Sequence, residues 1–90
     1  MKTGIKKSFD SDVKKIRDKK LLLQVEQAIK EVEDSKSLFD VKNFKKLKGY
    51  KNYYRIRIHD YRIGIFYEKE EVVFVRFLHC RDIYKHFPPQ

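Results

Sequence analysis

Apolar and polar residues alternate with a period of two along the middle of the chain. Tyr54, Ile56 and Ile58 fall on one side of an extended chain. Arg55 and Arg57 fall on the other side. Because the side chains of a strand point alternately to its two faces, this pattern predicts a β-strand with one apolar face and one cationic face.

The next segment repeats this pattern, with Tyr61, Ile63 and Ile65 on one face and Arg62 and Gly64 on the other. An ordinary amphipathic sheet can use Thr, Ser, Glu or Lys on its outer face. Arginine instead carries a planar fork that suits bidentate phosphate contacts and stacking on bases. The repeated arginines therefore indicate a sheet that binds a polyanion.

Three consecutive strands form the clearest part of the predicted sheet. The connections at His59-Asp60 and Lys69-Glu70 are short enough for an antiparallel meander. Residues 72–75 are apolar at every position, which is typical of an interior strand. The predicted strands cover residues 53–59, 61–68 and 71–79.

The first half of the chain has helical periodicity. Phe9, Val13 and Ile16 recur at helical spacing, and either Ser8 or Asp10 is predicted to cap this helix.

A second helix is predicted from Leu21 to Glu33, after a tight corner at Lys19-Lys20. Neither helix contains proline or glycine, so together they predict a helical hairpin that must bury an apolar stripe. In the second helix this stripe would consist of Leu22, Val25, Ala28 or Ile29, and Val32.

The remaining segments give weaker signals. A short edge strand is predicted within residues 41–48, and Ile5 is predicted to lie in an N-terminal edge strand. A turn is predicted at Lys48-Gly49-Tyr50, and one helical turn within residues 81–87 before Pro88-Pro89. The predicted architecture is α+β, with the helical hairpin on one face of a small, mainly antiparallel sheet and the other face free.

Length and composition limit the possible classes of protein. Ninety residues suit a single small domain, which we assign to residues 1–90. No apolar run approaches the roughly 20 residues of a membrane helix, and the start of the chain lacks the apolar core of a signal peptide. The single Cys80 cannot form an internal disulfide. We therefore expect a cytoplasmic protein that does not bind membranes.

The formal net charge of +9 favours nucleic acid, another polyanion or an acidic protein as the partner. Thirteen of the sixteen lysines precede residue 51, whereas five of the six arginines follow it. Lysines on helices are usually solvated surface residues without a specific binding role. Arginines on one face of consecutive strands are harder to explain by solubility alone.

Several kinds of catalytic site are disfavoured. His59, His79, Cys80 and His86 lack zinc-type spacing, so no metal is predicted. A lone cysteine at a strand end is more often a small core residue than a nucleophile, although a neighbouring Arg81 could activate it. The glycines are scattered, which excludes a glycine-rich phosphate loop, and no other cofactor is predicted.

The remaining chemistry is centred on a phosphate. RNA can be cleaved without metal when its 2′-OH attacks the adjacent phosphodiester, provided that the protein places the phosphate, neutralises its charge and moves protons. Tyr84 and His79 could move protons or stack on a base. The phosphate would be placed, and its charge neutralised, by four arginines: Arg55, Arg57, Arg62 and Arg81. A sheet that binds RNA without cleaving it is the alternative.

The order of these segments resembles the RelE/ParE superfamily of toxins from toxin–antitoxin pairs, and most closely its RelE branch. The resemblance covers nearly the whole chain and begins with the helical hairpin. It continues through Leu47-Lys48-Gly49, Tyr54-Arg55-Ile56-Arg57, Tyr61-Arg62-Ile63 and His79-Cys80-Arg81-Asp82-Ile83-Tyr84. Many relatives have an arginine directly after the histidine, where this chain has Cys80.

The resemblance implies an endoribonuclease that cleaves mRNA in the ribosomal A site without a metal or other cofactor. Its implied partners are an acidic antitoxin, mRNA and the ribosome, with lysine-rich helices contacting ribosomal RNA. The implied catalytic residues are Arg62, Arg81, Tyr84 and His79. The resemblance also implies that Arg55 and Arg57 bind RNA. Lys48 and Arg76 are predicted as further RNA-binding residues. The alternatives are a ParE-like toxin that binds DNA gyrase without nuclease activity and a non-toxic nucleic-acid-binding module.

Overall fold

The computed structural model describes residues 1–89, which form one β-sheet with helices on both of its faces. The helices are α1 (Lys7–Lys14), α2 (Lys19–Asp34) and α3 (Ile83–His86), and a 3-10 turn covers Leu38–Asp40. The strands are β1 (Lys2–Ile5), β2 (Phe44–Lys46), β3 (Tyr53–Ile58), β4 (Tyr61–Glu68) and β5 (Glu71–His79). The predicted α+β class and the helical hairpin are confirmed. None of the helices in this range is both long and apolar enough to cross a membrane.

The five strands form one sheet in the order β1-β5-β4-β3-β2. Strands β3, β4 and β5 pair antiparallel in chain order, as their short connections predicted, and β5 is an interior strand. Strand β1 pairs in parallel with β5, so the predicted edge strand at Ile5 is confirmed. Strand β2 forms the other edge, within the predicted range 41–48.

Helix α1 begins directly after β1, and the caps predicted for it are wrong. Lys6 is the N-cap, and its backbone N–H still bonds to the carbonyl of Phe74, so the helix starts where the strand pairing ends. Ser8 and Asp10 lie inside the helix, and the Ser8 hydroxyl donates to the carbonyl of Val75. Helix α1 therefore lies along the edge of β5 beyond the end of β1, where it satisfies backbone groups that β1 does not reach.

The corner between α1 and α2 lies at residues 15–18, not at Lys19-Lys20 as predicted. Asp18 is the N-cap of α2, and its Oδ1 accepts from the backbone N–H groups of Lys20 at 3.0 Å and Leu21 at 3.2 Å. A side-chain acceptor at this position satisfies N–H groups that have no partner within the helix. The helix consequently starts at Lys19 and includes both lysines in its first turn.

The main core lies between the hairpin and the sheet. The buried stripe of α2 contains Leu21 where we predicted Leu22, which is only half-buried. Four isoleucines of β3 and β4 are buried in this core, on the face predicted from their alternation: Ile56, Ile58, Ile63 and Ile65. They form one cluster with residues of both helices, including Phe9, Leu21, Val25 and Val32.

The opposite face of the sheet is not free, so that part of the prediction is wrong. The chain folds back over this face after β5 through α3, whose position within residues 81–87 was predicted. Because β5 is apolar on both faces, its outer side needs cover that the hairpin cannot provide. The cover forms a second cluster, here called the C-terminal cluster, of Leu47, Val75, Ile83 and Phe87.

Candidate nucleic-acid interface

Three arginines project from the sheet face opposite the hairpin, here called the arginine face: Arg55 and Arg57 of β3 and Arg62 of β4. Their neighbours Ile56, Ile58 and Ile63 are buried on the hairpin side, which confirms the alternation predicted from the sequence. Arg57 and Arg62 are directly opposite each other in the β3–β4 register. Like charges in such a pair destabilise a sheet. The pair therefore places two positive charges side by side on the arginine face.

Backbone carbonyls hold two of these arginines in place. Arg55 Nη1 donates to the carbonyl of Asn43 at 2.9 Å. Arg62 Nη1 donates to the carbonyls of His59 and Tyr61, both at 2.9 Å. Within residues 1–89, the ion pairs do not involve Arg55, Arg57 or Arg62. The guanidinium groups of Arg55 and Arg62 are thus oriented without being neutralised by a carboxylate.

The structure places Tyr84 and Lys48 beside Arg55. All three line a groove of about 400 Å³ where α3 approaches β2 and the turn that follows it. The Tyr84 side chain is 54% exposed, so it is available to a ligand. Other residues that line this groove include Lys45, Lys46 and Tyr50.

Tyr50 is a candidate that we did not predict as a site residue. It lies in the same groove as Tyr84 and is 46% exposed. Its position in the basic turn after Lys48 and Gly49 was the available signal, because an exposed aromatic ring among cations is typical of surfaces that bind single-stranded nucleic acid.

His79 lies on the other side of the sheet from the arginine face. It is directly opposite Tyr61 in the β4–β5 register, and the two rings meet edge to face at 5.4 Å. Tyr61 packs against the main core on the hairpin side. The Nδ1 atom of His79 accepts from the backbone N–H of Arg81 at 3.1 Å. The structure therefore does not bring His79 together with Arg55, Arg57 or Arg62, and its ring supports the turn after β5 that carries Arg81.

Arg81 is exposed in the turn that connects β5 to α3. The backbone N–H of the preceding Cys80 donates to the carbonyl of Asp60 at 2.6 Å. This contact joins the turn to the β3–β4 connection, which is followed by Tyr61 and Arg62 at the start of β4. Arg81 thus lies at the same end of the sheet as Arg62, and the Cys80 side chain is partly buried.

Arg76 has a structural partner and does not join the arginine face. Its Nε and Nη2 atoms lie 2.7 and 3.0 Å from the two carboxylate oxygens of Asp12. Asp12 is only 4% exposed and also accepts from the backbone N–H of Phe77 at 2.9 Å. The pair links α1 to β5. The predicted RNA binding by Arg76 finds no support in this geometry.

The last feature of the site concerns potential metal ligands. Within the described part of the chain, no three His, Cys, Asp or Glu side chains come close enough together to hold a metal ion.

Comparisons with known proteins agree with this fold. A family model described as the ParE toxin of the type II toxin-antitoxin system parDE matches residues 5–84. Toxin RelE3 of Methanocaldococcus jannaschii is 42% identical over 89 residues, which cover 98% of this chain and 100% of that protein.

Solved structures give the same result. A chain of the RelB-RelE antitoxin-toxin complex from Methanococcus jannaschii superposes with a TM-score of 0.80 at 38% identity, covering 94% of this chain and 99% of that one. A chain of the YoeB-YefM complex from Staphylococcus aureus has a TM-score of 0.70 at 17% identity, over 88% and 95% of the two chains, and shows the shared fold alone. With the family match over most of its length and a close RelE relative, this chain belongs to the ParE/RelE family and is a RelE-like toxin of a type II toxin–antitoxin system.

Proposed function

We propose that this toxin is an endoribonuclease that cleaves mRNA in the ribosomal A site. The observation that carries the proposal is the opposed pair of Arg57 and Arg62, which has no acidic partner within residues 1–89. An RNA phosphate bound between them would remove their mutual repulsion. The ribosome as the site of action implies a cytoplasmic protein.

The proposed reaction needs no metal. The 2′-oxygen of a nucleotide forms a bond to the adjacent phosphorus while the bond from phosphorus to the 5′-oxygen breaks. The 2′-hydroxyl loses a proton and the leaving 5′-oxygen gains one. The products are a 2′,3′-cyclic phosphate and a 5′-hydroxyl end, and the arginines stabilise the additional negative charge that develops on the phosphate.

The residues would divide these tasks by position. Arg57 and Arg62 would hold the reacting phosphate, and Arg81 would approach it from the turn at the same end of the sheet. Arg55 and Lys48 would bind the neighbouring phosphates along the groove. Tyr84 would stack on an unpaired base, as exposed aromatic residues do in proteins that bind single-stranded RNA.

Charge and positioning, rather than an acid–base pair, would supply most of the rate. An arginine stays protonated near neutral pH and is a poor general base. The His79 ring, which we expected to transfer protons, points away from the arginine face. A ribosome that holds the mRNA in a reactive geometry would compensate, because correct positioning alone can contribute several orders of magnitude in rate. The exposed lysines of α1 and α2 would contact ribosomal RNA.

An acidic antitoxin is the second proposed partner. The similar structures from Methanococcus jannaschii and Staphylococcus aureus are complexes of a toxin with an antitoxin. The net charge of +9 would favour an acidic chain that covers the arginine face.

Translation of a defined mRNA with purified ribosomes tests the main proposal. We expect cuts in phase with codons in the A site of translating ribosomes, and weak or no cleavage of the same RNA without ribosomes. EDTA should not inhibit the cleavage while the ribosomes remain intact. Efficient cutting of naked RNA that a chelator abolishes would contradict the mechanism.

Inhibition of DNA gyrase is the second candidate function, because the matching family model carries the ParE description. A gyrase inhibitor would stop supercoiling in a purified assay and leave mRNA intact. Expression in a host separates both toxins from a harmless nucleic-acid-binding module, since only a toxin should arrest growth.

A further inference from the structure

We propose that Gly64 and Phe87 form a positioning pair, in which the Phe87 ring rests on the Gly64 backbone and holds Tyr84 at the groove beside Arg55. The functional meaning of this inference rests on the RNA cleavage proposed above. The contact itself can be tested independently of any activity.

The Phe87 ring occupies the space that a side chain at position 64 would need. A Cβ atom added at Gly64 would lie 2.8 Å from Cδ1 of Phe87 and 2.9 Å from Cδ2 and Cε1. Side chains do not approach an aromatic ring this closely. Gly64 is not among the residues with positive φ, so its backbone does not require glycine. Space for the ring is therefore the reason for glycine at this position.

The Phe87 ring packs on the sheet next to Arg55 of the arginine face. Gly64 is directly opposite Arg55 on β3 and Arg76 on β5, so a position without a side chain lies between these two residues. Phe87 fills this gap, is only 1% exposed and meets Tyr53 edge to face at 5.3 Å. Any larger residue at position 64 would push the ring off the sheet.

The ring controls where Tyr84 lies, because α3 is a single turn of only four residues. A helix this short has little stability of its own and takes its orientation from packing. Its packed residues are Ile83 within the helix and Phe87 directly after it, both in the C-terminal cluster. Tyr84 itself is exposed, and Phe87 lines the same groove. Displacing Phe87 would therefore displace Tyr84.

A tryptophan reporter can follow this position. The chain contains no tryptophan, so Tyr84→Trp gives a single tryptophan at the groove, which can be excited selectively over the tyrosines. In this background we expect Gly64→Ala to lower the fluorescence anisotropy of residue 84, because the helix turn loses its anchor. Gly4→Ala is the matched control, since a Cβ there meets only Val73 Cγ2 at 4.0 Å and should change nothing.

Complementary substitution tests the contact itself. In the double variant Gly64→Ala/Phe87→Leu, the narrower leucine leaves room for the added methyl group. We expect it to recover part of the anisotropy lost in Gly64→Ala. With Tyr84 retained, ribosome-dependent mRNA cleavage should fall by about 100-fold in Gly64→Ala, as expected for misplacement of a substrate-positioning group, and recover in part in the double variant.

The outcomes separate this inference from the proposed function. A Gly64→Ala protein that melts at a lower temperature but keeps the anisotropy of residue 84 would overturn the positioning role. An equal response to Gly4→Ala would also overturn it. A change in anisotropy that Phe87→Leu partly reverses would support the pair even if the parent protein cleaves no mRNA. The absence of mRNA cleavage would reject only the nuclease proposal.

Discussion

The carboxylate of Asp12 binds the guanidinium of Arg76 through two hydrogen bonds across 64 positions of sequence. The same carboxylate accepts the backbone N–H of Phe77, so one buried acid joins α1 to two successive residues of β5. This contact explains why Arg76, alone among the strand arginines, is engaged by a carboxylate within the described residues.

Removing this carboxylate should be strongly destabilising. We expect Asp12→Ala to lower the free energy of unfolding by about 3–5 kcal/mol, because it leaves Arg76 and the Phe77 N–H without their acceptor. The measurement is urea denaturation followed by circular dichroism. Asp10→Ala is the control: its exposed ion pair with Lys14 is worth at most about 0.5 kcal/mol. Equal losses in the two variants would show that the buried pair does not hold α1.

Substitutions on the two faces of β4 should have different effects: those on the buried face should lower stability, and those on the arginine face should lower activity. Ile63 is fully buried, so Ile63→Ala should cost about 2–5 kcal/mol of unfolding free energy. Arg62→Ala, one residue away on the arginine face, should cost little stability and most of the activity. Unfolding curves and mRNA cleavage are measured on both proteins. Similar destabilisation by the two changes would mean that the faces are assigned wrongly.

The charge of the arginine face should determine the rate of cleavage. We expect Arg57→Ala and Arg62→Ala each to reduce ribosome-dependent cleavage by about 100- to 1,000-fold, because each removes a group that stabilises the developing negative charge. Lys36→Ala removes the same charge from an exposed position after α2 and should leave the rate unchanged. If the Arg57→Ala and Arg62→Ala variants cleave mRNA as fast as the Lys36→Ala variant, the arginine face is not the catalytic site.

His79→Ala should leave the shape of the pH–rate profile unchanged. The ring packs beside Tyr61 on the hairpin side and is placed to support the Arg81 turn rather than to exchange protons with RNA. The measurement is the cleavage rate between about pH 5.5 and pH 8.5, the interval in which a histidine ordinarily changes charge. A flattened profile in the variant would instead show that His79 transfers a proton.

Association with the antitoxin should depend on salt. If an acidic chain covers the arginine face, raising the ionic strength should lower the association rate more than it raises the dissociation rate. Stopped-flow mixing at several salt concentrations gives both rates. The absence of a neighbouring reading frame that suppresses toxicity would remove the basis for this prediction.

The sequence by itself determined the features that depend on local patterns. Alternation placed Ile56 and Ile63 in the core and Arg57 and Arg62 on the outer face, because the side-chain period of a strand is fixed by backbone geometry. Helical spacing and short turns similarly determined the hairpin and the meander. The family resemblance named the residues of the face, and Tyr84 with Lys48 and Arg55 does line one groove.

Only the tertiary structure decided which distant groups meet. The partner of Arg76 is a helix residue far away in the sequence, and the Phe87 ring fills a space that Gly64 leaves on another strand. The side of the sheet on which the His79 ring packs also follows from the strand register after a bulge in β5, not from its neighbours in sequence. Such contacts depend on the packing of several elements at once, and local periodicity carries no information about them.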